Sequence, residues 1–184
     1  MSPGPARPLV VLVGPPGAGK TSVGKAIARA RGVAFRDTDD DVADALGKSI
    51  PEVFIDEGEA VFRAAEQAAV ARALVQHDGV LALGGGAVTD ETTRQNLDGH
   101  MVVFLDVSLT DAVARVGLAR DRPLLLGSPR SQLKQLMDAR RPLYEEVATL
   151  VVDTAEASAD EVADRVLAGL AQQVDQAEKP GGGR

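Results

Sequence analysis

Short apolar runs alternate with longer amphipathic stretches along most of the chain. The apolar runs are PLVVLV (8–13), VAF (33–35), VLAL (80–83), MVVFLDV (101–107) and TLVVD (149–153). They are rich in β-branched residues and lack apolar–polar alternation, which is typical of strands buried on both faces of a sheet. The stretches between them have helical character, and two of these open with capping boxes, Ser49 with Glu52 and Ser158 with Glu161. This order of elements predicts a parallel sheet wrapped by helices, with ligands bound beyond the carboxyl ends of the strands.

The first apolar run ends in a glycine-rich loop, GPPGAGKT (14–21), which matches GxxxxGK[ST] between a predicted strand and a predicted helix. Glycines let backbone N–H groups turn onto phosphate oxygens, and the helix N-terminus adds partial positive charge. Lys20 is expected to reach the β and γ phosphates, and the Thr21 hydroxyl to bind magnesium. A turn without a ligand is the weaker alternative. The predicted ATP-binding residues of this loop are Gly14, Gly17, Ala18, Gly19, Lys20, Thr21 and Ser22.

Other nucleotide-binding classes fit the sequence less well. A dinucleotide fingerprint needs glycine where Ser22 stands. The guanine signature of GTPases is absent, because no lysine follows the only asparagine, Asn96. A mechanical ATPase would carry adjacent acids at a strand end, whereas FLDV offers Asp106 alone. Asp106 is therefore interpreted as a cap on the next connection, with a magnesium carboxylate as the alternative.

Four carboxylates follow the second apolar run, in RDTDDDV (36–42). Asp37 and Asp39 alternate at a strand end, so they lean the same way, towards the phosphate loop if the first two strands lie close together. One could hold magnesium, directly or through water, and the other could accept hydrogen bonds from a substrate hydroxyl. N-capping is the alternative for this pair. Asp40 and Asp41 fall in the first helical turn, where negative charge is favourable, and are interpreted as solvated.

Composition narrows the class of protein further. The 184 residues, 45% hydrophobic and 26% charged, suit one globular domain. No apolar run reaches the roughly 18 residues of a membrane span, and no signal peptide is recognisable. A net charge of −7 and 3% aromatic content argue against nucleic-acid binding. The absence of cysteine excludes disulfides and thiolate metal sites, and it fits a cytoplasmic location.

Six blocks in a fixed order resemble those of the shikimate kinase family, and they cover roughly residues 9–170. The blocks are GPPGAGKT (14–21), DTD (37–39), GEAVFRAAE (58–66), LGGGAV (83–88), DRPLL (121–125) and ARRPLYEEVA (139–148). The resemblance implies an α/β, three-layer P-loop kinase fold with a five-stranded parallel sheet in the order 2-3-1-4-5, flanking helices and a mobile lid. We expect a flexible arm at 1–7, one kinase domain at 8–171 with an acceptor-binding helical region at about 39–66, and a flexible tail at 172–184.

The resemblance also implies an acceptor site. Asp39 would bind two hydroxyls of shikimate and would accept the proton of the hydroxyl that is phosphorylated. Asp37 would bind magnesium, directly or through water. Arg63 and Arg140 would bind the carboxylate, because a planar guanidinium matches it well. Glu66 would help to place Arg63. The implied substrate-binding residues are Asp39, Arg63, Glu66, Gly84, Gly85, Gly86 and Arg140.

A lid at about 118–130 and an adenine contact complete the implied site. The stretch LARDRPLLLGSPR combines Pro, Gly and basic residues. Arg122 matches the lid arginine of the family and would stabilise the transferring phosphoryl group, while lid closure would exclude water. Arg115 matches a position that stacks on adenine, and residues 154–158 would form the far side of that site. For these arginines, as for those of the acceptor site, a solvated helix position is the alternative.

Some residues are interpreted as structural or peripheral. Phe54 and Phe62 could wall the acceptor pocket, but core packing is favoured. His77 and His100 lie near predicted loops without evident partners, so both are expected at the surface.

The sequence therefore predicts magnesium-dependent transfer of the ATP γ-phosphoryl group to the 3-hydroxyl of shikimate, giving shikimate 3-phosphate and ADP. The catalytic residues would be Lys20, Asp39 and Arg122, with Mg²⁺ bound by Thr21 and Asp37. The expected partners are ATP and shikimate, with no nucleic acid or membrane, and a monomer is favoured. Two alternatives stay open: another small-molecule kinase of this fold, such as gluconate kinase or a nucleoside monophosphate kinase, and a nucleotide-binding switch without phosphoryl transfer.

Overall fold

The computed structural model describes residues 6–117 and 128–178. The strands in these ranges are β1 (Val10–Val13), β2 (Phe35–Asp37), β3 (Val80–Ala82), β4 (Val102–Asp106) and β5 (Leu150–Asp153). The helices are α1 (Lys20–Arg31), α2 (Thr38–Leu46), α3 (Ile50–Asp56), α4 (Glu59–Gln76), α5 (Glu91–Leu97), α6 (Leu109–Arg115), α7 (Pro129–Val147) and α8 (Ala159–Glu178), and a short 3₁₀ turn covers Ala87–Thr89. No helix in the described ranges is long and apolar enough to cross a membrane.

These five strands form one parallel sheet in the order β2-β3-β1-β4-β5, which confirms the expected fold. In the centre, Leu12 of β1 lies opposite Ala82 of β3 and Val103 of β4. All five strands point their carboxyl ends to the same edge. The loops after β1, β2 and β3 therefore meet there, and this edge positions the site.

Two apolar cores cover the two faces of the sheet, because successive side chains of a strand point to opposite faces. Val10 and Leu12 of β1 pack into the core beneath α1 and α8, whereas Val11 and Val13 pack into the core beneath α4 and α7. All four residues are buried, as the unbroken VVLV run predicts. A smaller cluster around Val42 joins α2, α3 and α4 and holds the acceptor-side helices together.

Several boundaries differ from the sequence expectations. The second strand begins at Phe35 rather than Val33, because Gly32 ends α1 in a left-handed conformation and the Val33 N–H still bonds the carbonyl of Ala28. Pro129 already begins α7, so the last residues of the expected lid are helical. Helix α8 continues to Glu178, past the expected domain end at 171, since residues 170–179 contain neither proline nor glycine.

The capping boxes are present as expected. The Ser49 side chain accepts from the Glu52 N–H while the Glu52 carboxylate accepts from the Ser49 N–H, and Ser158 and Glu161 make the same reciprocal pair. His77, in contrast, is buried, so the prediction of a surface position is wrong. Its Nε2 lies 3.0 Å from the carbonyl oxygen of Val80, and this contact stabilises the turn before β3.

Candidate active site

The phosphate loop connects β1 to α1 at the carboxyl edge of the sheet. Gly17 and Gly19 have φ values of 82° and 88°, in the left-handed region that glycine adopts without strain. Space is also restricted, because a Cβ on Gly17 would lie 2.8 Å from the carbonyl oxygen of Ala112 in α6. Glycine is therefore required at Gly17 by both conformation and packing, and the loop leads directly into the N-terminus of α1.

Lys20 folds back over this loop. Its Nζ donates hydrogen bonds to the carbonyl oxygens of Gly14 at 2.7 Å and Pro15 at 3.0 Å. Burial lowers the pKa of Lys20 to about 8, although the charges of Asp39 and Asp37 oppose this shift. The ammonium group is thus still mostly charged at neutral pH, and it lies where a bound phosphate could replace the two carbonyls.

The Asp37 side chain links the C-terminal end of β2 to the N-terminal end of α1. Its Oδ1 accepts from the Asp39 N–H at 2.9 Å, which makes Asp37 the N-cap of α2, and its Oδ2 accepts from the Thr21 hydroxyl at 3.1 Å. The N-capping alternative therefore applies to Asp37, and the same carboxylate also reaches the phosphate loop. Asp41 is not simply solvated, because its Oδ2 accepts from Arg36 Nε at 2.8 Å.

Asp39 and Glu66 bring two carboxylates against the glycine stretch after β3. A Cβ on Gly84 would lie 2.6 Å from Asp39 Oδ1 and 2.8 Å from Glu66 Oε2. Burial raises the pKa of Asp39 to about 6, and the neighbouring charges of Asp37 and Glu66 add to the shift. The bare backbone of Gly84 is what leaves room for both carboxylates.

Arg63 lies beside them on α4, one turn before Glu66. Its Nη1 donates to Glu66 Oε1 at 2.7 Å, as the i, i+3 spacing predicts. Burial raises the pKa of Glu66, whereas the bond from Arg63 opposes the shift. The guanidinium also lies directly over Gly86, where any Cβ would collide with it. Gly84 and Gly86 therefore form a floor against which these charged side chains lie. Phe62 is buried, as expected for a core residue, whereas Phe54 is partly exposed and contacts its ring at a centroid distance of 4.6 Å.

On the side of the site opposite α4, helix α7 contributes Arg140 and Tyr144. The Tyr144 hydroxyl donates to the carbonyl oxygen of Gly85 at 2.5 Å, and burial raises the pKa of Tyr144 to about 12. Arg140 opposes that shift, and its charge also lowers the pKa values of Lys20 and Glu66. Arg140 is therefore near both the phosphate loop and the acceptor side. Sequence reasoning missed Tyr144, although it lies within the ARRPLY block.

Two neighbouring cavities with shared lining residues lie along the phosphate loop. The larger, about 460 Å³, is lined by Gly17, Gly19, Lys20, Thr21, Ser22, Asp37, Asp39, Leu83 and Arg115. The smaller, about 220 Å³, shares Gly19, Ser22 and Arg115 with it and extends to Ala157, within the stretch expected on the far side of adenine. Arg115 Nη1 donates to the carbonyl oxygens of Gly17 at 3.2 Å and Ala18 at 3.3 Å. A nucleotide can therefore run from the smaller cavity to Lys20.

The structure contradicts the prediction for Asp106 and does not describe Arg122. Asp106 does not cap α6, whose N-cap is Ser108, because both of its carboxylate oxygens accept from Arg141 at 2.9 and 2.7 Å. Arg122 lies outside the described residues, as does the lid segment 118–127 that contains it. The structure thus brings together all the other expected site residues at one edge of the sheet.

The parallel 2-3-1-4-5 sheet and a phosphate loop facing a charged acceptor pocket define a P-loop small-molecule kinase. The family model for shikimate kinase matches residues 16–171. A shikimate kinase of Frankia casuarinae is 60% identical over 162 residues, which are 88% of this chain and 72% of that protein. The chain belongs to the shikimate kinase family.

Solved structures agree with this assignment. A shikimate kinase from Acinetobacter baumannii in complex with shikimate is 33% identical, with a TM-score of 0.82 over 95% of this chain and 96% of that one. A gluconokinase from Sinorhizobium meliloti is 24% identical with a TM-score of 0.57, over 94% of this chain and 95% of that one. The second likeness extends to the fold alone.

Proposed function

We propose that this protein transfers the γ-phosphoryl group of ATP to the 3-hydroxyl of shikimate, giving shikimate 3-phosphate and ADP. The observation that carries the proposal is that Lys20 and Asp39 line one cavity of about 460 Å³. A phosphate-binding cation and an acceptor-binding carboxylate thus flank a single space. Gluconate kinase activity is the second candidate, since gluconate also offers a carboxylate and hydroxyls.

The acceptor is held by charge and hydrogen bonds. Arg63 and Arg140 bind the carboxylate of shikimate, because planar guanidinium groups pair with both carboxylate oxygens. Glu66 holds Arg63 in place through the 2.7 Å bond. Asp39 accepts hydrogen bonds from the ring hydroxyls, and the bare backbone of Gly84 leaves the space that the Asp39 carboxylate occupies. Gluconate is a flexible chain, so the same groups orient it less well.

In the chemical step the 3-hydroxyl oxygen bonds to the γ-phosphorus while the bond to the bridging oxygen breaks. ADP leaves with that electron pair, and the hydroxyl proton passes to Asp39. A pKa of about 6 leaves Asp39 ionised at neutral pH and able to accept this proton. Phosphoryl transfer has a loose transition state, so a moderate base suffices and positioning and charge neutralisation dominate.

Cations stabilise the phosphoryl group as it moves. Lys20 exchanges its bonds to Gly14 and Pro15 for the β and γ phosphates. Arg122, from the lid, stabilises the transferring group, and Arg115 stacks on the adenine ring. The lid excludes water when it closes, which limits ATP hydrolysis.

Magnesium fits the oxygen donors at the edge of the phosphate loop. The Thr21 hydroxyl and the Asp37 carboxylate are adjacent, and both are hard ligands. No cluster of three or more acidic, histidine or cysteine side chains suited to a metal occurs in the described part of the chain. Thr21 and Asp37 would therefore hold the ion together with water and phosphate oxygens. When bound, Mg²⁺ neutralises charge on the β and γ phosphates.

We further propose that the protein is cytoplasmic and monomeric.

The test is ADP release from MgATP with shikimate, gluconate, a nucleoside monophosphate or no acceptor. We expect shikimate alone to accelerate release, with product phosphorylated at the 3-position. Lys20→Ala should lose turnover with little change in unfolding free energy, and Arg63→Ala should raise the KM for shikimate at saturating ATP. Equal efficiency with gluconate would favour the second candidate, and release that no acceptor accelerates would overturn both.

A further inference from the structure

Two adjacent arginines on α7 serve different partners. Arg140 acts on Glu66 and Tyr144 at the acceptor side, as their pKa shifts indicate. Arg141 turns the other way and binds Asp106 through two parallel hydrogen bonds of 2.9 and 2.7 Å. Its guanidinium also lies 5.6 Å from the ring centre of Phe104. Arg141 therefore connects α7 to the end of β4, one residue away from an acceptor ligand.

The helix is weakened at this point. Pro142 lies inside α7 and has no N–H, so the carbonyl of Asp138 loses its usual helical donor. The proline ring also crowds the preceding turn, where Arg140 and Arg141 lie. The backbone ladder alone therefore fixes the direction of Arg140 less firmly than it would in an uninterrupted helix.

Two contacts on either side of Pro142 compensate for this weakness. After the proline, Tyr144 bonds the carbonyl of Gly85 at 2.5 Å. Before it, Arg141 binds Asp106, the last residue of β4. The Asp106 backbone is itself fixed, because its carbonyl accepts from both the N–H and the hydroxyl of the buried Thr154, at 2.9 and 3.0 Å. The ion pair thus attaches α7 to a rigid part of the sheet.

We propose that the Asp106–Arg141 ion pair is a positioning device that orients Arg140 towards the acceptor carboxylate. This rests on the proposed function, in which Arg140 binds that carboxylate. The side chain of Arg141 is 49% exposed and that of Asp106 28%, so the pair contributes little to global stability. Its bidentate geometry instead restrains rotation and displacement of α7 beside Pro142. Asp106 and Arg141 touch no reacting atom, and they act through Arg140.

The first test compares Asp106→Asn, Arg141→Gln and the double variant. Each should raise the KM for shikimate about three- to tenfold, the effect of one lost hydrogen bond. The kcat and the KM for ATP should stay within about twofold. The double variant should match Arg141→Gln, which removes the contact with Asp106 and also the 2.8 Å ion pair of Arg141 with Glu145. The matched control is Lys134→Gln, which breaks the Lys134–Asp138 pair on the same helix and should leave the KM for shikimate unchanged.

The second test uses a shikimate analogue with a hydroxymethyl group in place of the carboxylate, measured as a competitive inhibitor. The loss of affinity in Arg141→Gln should vanish for this analogue, because Arg140 has no carboxylate to bind. A loss that persists, or an Asp106→Asn variant that binds shikimate more tightly through a freed Arg141, would overturn the proposal.

Arg140→Gln separates this inference from the function on which it rests. If it raises the KM for shikimate while Arg141→Gln does not, the positioning role alone is wrong. If Arg140→Gln leaves that KM unchanged, the assignment of Arg140 fails, and the positioning role fails with it.

Discussion

The Asp39 carboxylate lies in surroundings that disfavour its charge. Burial, Asp37 and Glu66 raise its pKa from 3.8 to about 6. Between these two values the unfolded chain releases a proton that the folded protein retains, so the native state loses stability as pH rises from about 4 to 6. Above about pH 6 the loss is complete. Asp39 is only partly buried and lines the cavity of about 460 Å³, where it can accept hydrogen bonds from an acceptor.

Asp39→Asn tests this balance at the scale of one residue. We expect turnover to fall at least about 100-fold, because the proton acceptor is lost. The free energy of unfolding at pH 7.5 should rise by about 1–2 kcal/mol, and the gain should shrink towards zero near pH 3, which lies below the unfolded pKa of 3.8, so that Asp39 is mostly protonated in both states. Urea unfolding at the two pH values measures this. Asp44→Asn, at an exposed position later in the same helix, is the control that should leave turnover unchanged and show no pH-dependent gain in stability.

Retained turnover in Asp39→Asn, or the same stability gain at both pH values, would contradict this account of Asp39.

Residue identities could be predicted where spacing and chemistry coincide. The GxxxxGK[ST] pattern marked Lys20 and Thr21, and the position of the acids after a strand marked Asp37 and Asp39. Tyr144 and the Asp106–Arg141 pair could not be found in this way. Their partners lie 59 and 35 residues apart in sequence, and only the packing of α7 against the sheet brings them together.

At the scale of an element, the stretch after β3 contributes to the site because its glycines have no side chains. Gly84 and Gly86 do not need glycine for their backbone conformation, since neither has a positive φ. They need it for space, because Asp39 and Glu66 lie against Gly84, and Arg63 lies over Gly86. A methyl group at either position displaces the charged side chains that bind the acceptor.

Gly84→Ala should therefore raise the KM for shikimate more than about tenfold, through displacement of two carboxylates. The KM for ATP should change less than about twofold. Steady-state kinetics with each substrate varied in turn measures both values. Gly47→Ala is the control, because Gly47 ends α2 with nothing within 4 Å of a new Cβ and should affect stability only. An unchanged KM for shikimate in Gly84→Ala would contradict the proposed acceptor floor.

Element types followed from the hydrophobic pattern, while element boundaries depended on local capping. The second strand starts late because the left-handed Gly32 extends the turn after α1. The tail remains helical to Glu178 because polar residues without proline or glycine can continue a helix that is already packed. Periodicity does not contain either piece of information.

At the scale of the whole molecule, the order of the strands creates the site. The loops after β1, β2 and β3 are neighbours along the carboxyl edge because β3 lies between β2 and β1 in the parallel sheet. The burial pattern of the strands is the same for any order, so the order came from the family resemblance rather than from periodicity. Arg122, which lies outside the described residues in the expected lid at about 118–130, is the further cation that the proposed function requires at this edge.

Arg122→Ala should lower kcat about a thousandfold, as loss of an arginine finger does. Its unfolding free energy should change by less than about 0.5 kcal/mol, because the proposed role of Arg122 is catalytic rather than structural. Rapid-quench kinetics and urea unfolding give the two numbers. Arg130→Ala, in the first turn of α7, serves as the control for loss of a nearby positive charge. Parallel losses of stability and rate in Arg122→Ala would argue against a catalytic role.

The most direct measurement is a crystal structure with shikimate, Mg²⁺ and a non-hydrolysable ATP analogue bound together. The account predicts the 3-hydroxyl oxygen within hydrogen-bonding distance of Asp39 and about 3–3.5 Å from the γ-phosphorus, with Lys20 moved from the Gly14 and Pro15 carbonyls onto the phosphates. Shikimate bound away from Asp39, or Lys20 still on those carbonyls beside a bound γ-phosphate, would contradict it.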